Sequence, residues 1–113
     1  MPTYDVLPSF WRDWDDLSPQ RQRVCRAAVD KLVADLASGG QFRKGLRVRG
    51  AQGAPGIFEM TWADDGRLTF QFGDEVITGE PHVIWRRVGT HDIFDEPRDP
   101  RERTSSAGKR SPT

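Results

Sequence analysis

The residues best suited to chemistry stand near the end of the sequence, in the stretch VIWRRVGTHDIF at 83–94. A run of strand-forming residues leads into Arg86 and Arg87, and His91 follows just beyond a glycine. Arginine stays charged and presents a planar fork to phosphoryl oxygens, whereas histidine titrates near neutrality and can transfer a proton. Together these side chains suit the handling of a phosphodiester without a metal ion.

A second basic group lies in the stretch FRKGLRVRG, which contains no acidic residue and four bases: Arg43, Lys44, Arg47 and Arg49. Residues 54–81 are the opposite, with six acidic residues and Arg67 as the one base. A basic stripe on an otherwise acidic chain still binds a phosphate backbone locally, and the acids elsewhere limit non-specific binding. The stripe is therefore a candidate surface for RNA.

Length and composition exclude several classes of protein. A chain of 113 residues allows one domain with a modest core. No apolar run approaches the roughly 20 residues of a membrane-spanning helix, and the N-terminus lacks signal-peptide regions, so we expect a cytoplasmic protein without membrane contact. The single cysteine, Cys25, excludes an internal disulfide and is expected to be buried and inert. His82 and His91 are the only histidines, and no ligand spacing predicts a metal or a cofactor.

The charge divides the chain into two parts. Residues 97–113 carry five basic and two acidic residues, no large apolar residue and much Pro and Ser, so we predict a disordered tail. We therefore predict one domain over residues 1–96. Because the whole chain is neutral, this domain carries net charge −3, which counts against nucleic acid as a partner.

The first half of the domain is predicted to be mainly helical, and its helices must support the sheet that carries the candidate site residues. A short strand is predicted at 3–7, and Phe10, Trp14 and Leu17 then recur at the spacing of one helix face. Ser18 is a favoured N-cap, followed by a proline at the first helical position. Apolar residues from Cys25 to Leu36 recur every three or four positions, and a Gly-Gly pair ends this second helix.

The second half switches to a period of two, which predicts an antiparallel meander. Its first two strands are joined by ADDG at 63–66, and placing both apolar triplets on one face requires a loop of odd length. Three loop residues with Gly66 as a left-handed bulge satisfy that requirement. Thr61 then lies opposite Arg67, and Glu59 is a diagonal neighbour of Arg67 within side-chain reach. Glu59 is thus either a general base or a plain ion-pair partner.

A further strand is predicted over 82–88, in which alternation sends Arg86 and Arg87 to different faces. One of them can share a face with Arg67, and the other is expected to lie over the helices. The predicted fold is α+β: an N-terminal strand, a two-helix hairpin and a sheet of three to four antiparallel strands.

This order of elements resembles the RelE/ParE superfamily of bacterial toxin–antitoxin toxins. The resemblance covers residues 3–97 and rests on the order and spacing of four stretches: PSFWRDWDDLSPQRQRV, GIFEMTW, DGRLTF and VGTHDIF. It implies a type II toxin that needs a cognate antitoxin. In the ribonuclease branch it implies an mRNA interferase, a metal-independent endoribonuclease that cuts mRNA on the ribosome.

The resemblance also implies site residues. Arg67, which opens the DGRLTF strand, and His91, after the Val-Gly of the last strand, match catalytic positions, with Glu59 as a third candidate. The basic stripe matches RNA-gripping positions loosely, and Arg86, on the last predicted strand, is a further candidate RNA-binding residue. Many ribonuclease members carry a basic residue where Thr90 stands and a tyrosine where this chain has Phe94, and Phe94 can stack on a base but cannot transfer a proton.

Two other functions stay open at this point. A ParE-like toxin would block DNA gyrase by contact and perform no catalysis. A non-enzymatic interaction module would dock its sheet or helices on a partner protein.

Overall fold

The computed structural model describes residues 2–90, which form five strands and two α-helices. In chain order these are β1 (Thr3–Val6), α1 (Pro8–Asp15), α2 (Pro19–Ala37), β2 (Arg49–Gly50), β3 (Ile57–Thr61), β4 (Gly66–Gly73) and β5 (His82–Thr90), with a 3-10 turn at Lys44–Leu46. The α+β prediction is confirmed, whereas the predicted tail, 97–113, lies outside the described residues. Neither α-helix is long and apolar enough to cross a membrane.

All five strands belong to one sheet, in the order β1-β5-β4-β3-β2. β3, β4 and β5 form the predicted antiparallel meander, and the very short β2 extends it at one edge. β1 joins the opposite edge by pairing in parallel with β5, which makes the sheet mixed. His82 supports this junction, because Nδ1 lies 2.7 Å from Thr3 Oγ1 and Nε2 lies 3.0 Å from Asp5 Oδ2.

The helices begin and end where local chemistry predicts. Ser18 caps α2, its Oγ accepting a hydrogen bond of 3.2 Å from the Arg21 main-chain N–H, and Pro19 takes the first helical position. After Ser38, Gly39 and Gly40 both adopt positive φ, which only glycine adopts without steric cost. α1 starts at Pro8 and ends at Asp15, so Leu17 lies beyond the helix although it packs against the core.

The β3–β4 hairpin has the predicted register, with Thr61 opposite Arg67 and Glu59 opposite Thr69. The predicted left-handed bulge at Gly66 is wrong, because Gly66 does not have positive φ. Glycine is needed there for another reason. A Cβ at Gly66 would lie 2.5 Å from the nearest atom of the Trp62 indole, so the absent side chain makes room for a buried aromatic ring.

The two α-helices cover one face of the sheet and enclose the core. α2 contributes Cys25, Ala28, Leu32 and Leu36, the buried residues of its apolar face. The sheet, together with Trp62 just after β3, contributes a larger set of apolar residues: Met60, Trp62, Leu68, Phe70, Val83, Trp85 and Val88. Phe72 belongs to the predicted apolar face but is 42 % exposed, since it stands near the end of β4.

α1 binds the edge of β5 where β1 ends. Ser9 Oγ donates to the Arg86 carbonyl oxygen at 2.9 Å. The Asp13 carboxylate accepts from Arg87 Nε at 2.6 Å and from the Val88 main-chain N–H at 3.1 Å. Because side chains replace a strand as the partner of this edge, β5 stays ordered beyond its pairing with β1.

Candidate active site

A cavity of ≈ 390 Å³ opens at one end of the sheet, where α2, the 3-10 turn and the β3–β4 turn meet. Four basic residues line it, namely Lys31, Arg43, Arg47 and Arg67, against one acidic residue, Asp64. They come from three separate segments of the chain. The cavity is therefore a basic recess with the charge and size to receive a phosphate group.

Arg67, the second residue of β4, lines this recess. Its Nη1 donates to three main-chain oxygens of the preceding turn, those of Ala63 at 3.3 Å, Asp64 at 3.2 Å and Gly66 at 2.9 Å. A guanidinium carries five N–H donors on three nitrogens. All three contacts involve Nη1, so they do not use the donors on Nε and Nη2. Among residues 2–90, nothing is hydrogen-bonded to Nε or Nη2 of Arg67, and these nitrogens remain for an anion.

Arg43 also borders the recess, but its charge is already paired. Its Nε and Nη2 lie 3.0 and 2.8 Å from the two carboxylate oxygens of Asp35 in α2. Hydrogen bonding to Arg43 lowers the pKa of Asp35 to about 2, and the same bond raises the pKa of Arg43. Arg43 therefore ties the 3-10 segment to α2 and has less charge to offer a ligand.

Arg47 and Lys31 carry the remaining positive charge of the recess. Arg47 ends the 3-10 turn at φ 50°, the only non-glycine with positive φ within the described residues. Such conformations are uncommon for non-glycine residues and concentrate at functional sites. Neither Arg47 nor Lys31 forms an ion pair with any carboxylate in residues 2–90.

Lys31 is a residue that the sequence analysis missed. It stands on the exposed, polar side of α2, and its position in the sequence does not distinguish it from a lysine that only contacts solvent. Ala28, one turn earlier, also lines the recess, and its small side chain leaves space there. A small residue three positions before a lysine was the one available signal, and it is weak.

Glu59 lies apart from this recess. It is buried on β3 and forms an ion pair with Arg49, which stands directly opposite it on β2. The confirmed register makes Glu59 and Arg67 diagonal neighbours, but among the described residues no hydrogen bond or ion pair joins them. Of the two interpretations for Glu59, the geometry fits the ion-pair partner, and it also shows that Arg49 is engaged with a carboxylate.

Arg86 and Lys44 are also outside the recess. Arg86 is 8 % exposed and donates through Nη1 to the side-chain oxygen of Gln71 on β4. Its neighbour Arg87 reaches α1, as predicted for one of the two arginines. Lys44 is exposed on the 3-10 turn but does not line the cavity. Of the predicted RNA-binding residues that lie within 2–90, the structure brings Arg43 and Arg47 to the recess of Arg67.

His91 and Phe94 lie outside the described residues. β5 ends at Thr90, which pairs with Gly66, the residue before Arg67. Gly89 lies opposite Arg67 itself.

A second cavity, of ≈ 330 Å³, lies between β1 and the helices. Its lining is mainly apolar and aromatic, including Tyr4, Trp11 and Trp14, and Arg26 and Asp30 are its charged residues. Its one base is matched by one acid, whereas the basic recess has four bases and one acid, so the recess is the better candidate for a reaction on a phosphodiester.

Comparison with solved structures shows that this chain has the RelE/ParE-like toxin fold. No family model matches the sequence, and the curated proteins also gave no match. A copper-bound mutant toxin from Helicobacter pylori aligns with TM-score 0.60 and 15 % identity over 81 % of this chain and 97 % of that one.

Two toxins from E. coli are similar in the same way. YafQ aligns with TM-score 0.57 and 14 % identity over 83 % of this chain and 98 % of its own. A chain of the intact RelBE toxin–antitoxin complex aligns with TM-score 0.52 and 19 % identity over 80 % and 96 %. At these identities the likeness establishes the fold alone.

Proposed function

We propose that this chain is the toxin of a toxin–antitoxin module and acts as a metal-independent endoribonuclease on ribosome-bound mRNA. The observation that carries the proposal is the recess around Arg67. There the Arg67 guanidinium has two nitrogens without a hydrogen-bond partner among residues 2–90 and lines one cavity with Lys31 and Arg47, on a RelE/ParE-like scaffold. Three positive charges around one cavity suit a phosphodiester, whose charge grows during cleavage.

The proposed reaction is attack by the ribose 2′-oxygen on its own phosphorus atom. The 2′-hydroxyl loses its proton, the P–O5′ bond breaks, and the 5′-oxygen gains a proton, which leaves a 2′,3′-cyclic phosphate and a 5′-hydroxyl. Arg67 is proposed to bind the phosphoryl oxygens through Nε and Nη2, since Nη1 is held by the turn. His91 is the proposed proton-transfer group, because an imidazole can accept or deliver a proton near neutral pH.

We assign no proton transfer to Glu59. A carboxylate bound to the Arg49 guanidinium is a poor base, and it does not line the recess. Arg47 and Lys31 are proposed to hold the RNA backbone on either side of the scissile phosphate. Arg43 contributes less, because Asp35 already neutralises it.

The test is in vitro cleavage of mRNA on programmed ribosomes, with mapping of the new 5′ ends. Arg67→Ala is expected to lower the cleavage rate by about 100-fold to 1,000-fold, the usual effect of removing one donor to a developing charge. His91→Ala should lower it as well. Arg47→Ala should weaken RNA binding and reduce its salt dependence, whereas Arg43→Ala should change both less. Wild-type rates in Arg67→Ala would refute this site.

The same variants distinguish the proposed ribonuclease from a ParE-like inhibitor of DNA gyrase. If growth stops while messages stay intact, and if Arg67→Ala remains toxic, inhibition of purified DNA gyrase in a supercoiling assay becomes the expected activity. Harmless expression would instead favour a non-enzymatic interaction module.

We also propose a cognate antitoxin as the protein partner. Three of the similar structures are of toxin–antitoxin complexes, two of DinJ–YafQ and one of RelBE. An antitoxin segment with carboxylates would complement the recess of Arg67, Lys31 and Arg47. Charge-matched binding of this kind would be weaker in Arg47→Ala, as measured by titration of the purified pair at two salt concentrations.

A further inference from the structure

The Arg21 side chain connects α2 to the turn that holds Arg67. The Arg21 Cζ lies 5.0 Å from the centre of the Trp62 ring, and Nη2 lies 3.0 Å from Asp65 Oδ1. The first contact is a cation–π interaction and the second an ion pair. Arg21 thus contacts the β3–β4 turn at two points: Trp62, just before the turn, and Asp65, within it.

Trp62 connects this attachment to Arg67. Its Nε1–H donates to the Arg67 carbonyl oxygen at 2.9 Å, and its ring occupies the space that the missing Gly66 side chain leaves open. The Arg67 guanidinium binds carbonyl oxygens of the same turn. The orientation of this guanidinium therefore depends on the position of the turn, and the turn is fixed to α2 by Arg21.

We propose that Arg21 and Trp62 are positioning residues that hold the Arg67 guanidinium in the orientation needed at the basic recess. This inference rests on the proposed function and deepens it. Arg21 is not among the residues that line the recess, so its role is to act through the turn. A displacement of a catalytic group by about 1 Å lowers a rate about 100-fold, so a loosened turn has a measurable effect.

The experiment is a double-mutant cycle on ribosome-dependent cleavage. Arg21→Ala is expected to lower kcat about threefold to tenfold with little change in KM, and the loss should disappear in an Arg67→Ala background. Trp62→Phe keeps an aromatic ring but removes the N–H donor, so it should behave in the same way. Arg23→Ala is the matched control, since Arg23 is an exposed arginine of α2 that forms no hydrogen bond, ion pair or ring contact within residues 2–90.

A second measurement reports on orientation without any activity. In ¹⁵N-labelled protein, the Arg67 Nε–H signal should shift or broaden in Arg21→Ala and stay unchanged in Arg23→Ala. An equal loss of activity from Arg21→Ala with and without Arg67 would overturn the inference, as would an unchanged Arg67 signal. If the protein cleaves no RNA, the proposed function fails, and the signal alone decides whether Arg21 positions Arg67.

Discussion

The ion pair between Asp13 and Arg87 should be the most sensitive polar contact of the fold. Asp13 on α1 binds Arg87 Nε at 2.6 Å and Nη2 at 3.2 Å, and it also accepts from the Val88 main-chain N–H at 3.1 Å. Its side chain is 17 % exposed and that of Arg87 is 18 % exposed. We therefore predict that Asp13→Ala destabilises the protein far more than an ordinary surface substitution.

The magnitude follows from what the substitution leaves behind. Breaking a buried ion pair by removing one partner costs about 3–5 kcal/mol, because the other charge stays buried without compensation. The orphaned Val88 N–H adds to this, but the residual exposure of both side chains lets water replace part of the loss. We expect about 3–4 kcal/mol, a large fraction of the roughly 5–15 kcal/mol by which a domain is stable.

Urea unfolding monitored by tryptophan fluorescence measures this directly. Asp13→Asn keeps an acceptor for the Val88 N–H and should cost about 1–2 kcal/mol. Removing both charges in an Asp13→Ala, Arg87→Ala protein should cost less than the sum of the single changes by about 1–3 kcal/mol. Asp15→Ala, an exposed carboxylate on the same helix, should stay within about 0.5 kcal/mol of wild type. An Asp13→Ala protein as stable as the Asp15→Ala protein would refute the reasoning.

Three further outcomes follow from named contacts. Gly66→Ala should lower stability by about 1–3 kcal/mol, because its Cβ would clash with the Trp62 indole at 2.5 Å, while Gly45→Ala, with nothing within 4 Å, should not; thermal melts compare the two. The side-chain hydrogen bond to Arg43 lowers the pKa of Asp35 from 3.8 to about 2. The stability that this contact gives is therefore complete at pH values above 3.8 and is lost as the pH falls through about 2. The difference in urea midpoint between wild type and Asp35→Asn should shrink over that range, and a constant difference would contradict this. Burial raises the pKa of Cys25 to about 12, so a thiol reagent at pH 8 should react only after unfolding, and rapid labelling of the native protein would be the contrary result.

Local rules explain which parts of the fold could be predicted from sequence. The start of α2 depends on Ser18 and Pro19, which are adjacent in the chain, and its buried face depends on helical periodicity within one segment. The hairpin register depends on loop length and strand alternation, so the pairing of Thr61 with Arg67 was also accessible. Each of these features is decided by residues a few positions apart.

The partner of Glu59 was not accessible in this way. A strand of two residues, β2, has no period to detect, yet it places Arg49 directly opposite Glu59. Cβ atoms of directly opposed residues are about 4.5–5.5 Å apart, whereas diagonal neighbours such as Arg67 are about 7–8 Å away. The nearer arginine therefore takes the carboxylate. A strand too short to recognise thus changed the assignment of a candidate base.

The distribution of ion pairs also explains why the net charge of the domain does not describe the charge around the recess. The acidic domain argued against a phosphate ligand, but within residues 2–90 many carboxylates are bound to arginines far from the recess or at its rim: Asp13 to Arg87, Asp35 to Arg43, Glu59 to Arg49 and Asp65 to Arg21. Lys31, Arg47 and Arg67 have no such partner in this part of the chain. A phosphate responds to the field within about a Debye length, roughly 8–10 Å, and not to the sum over the chain. The fold concentrates unpaired cations at one end of the sheet, and that local excess is what an RNA backbone would meet.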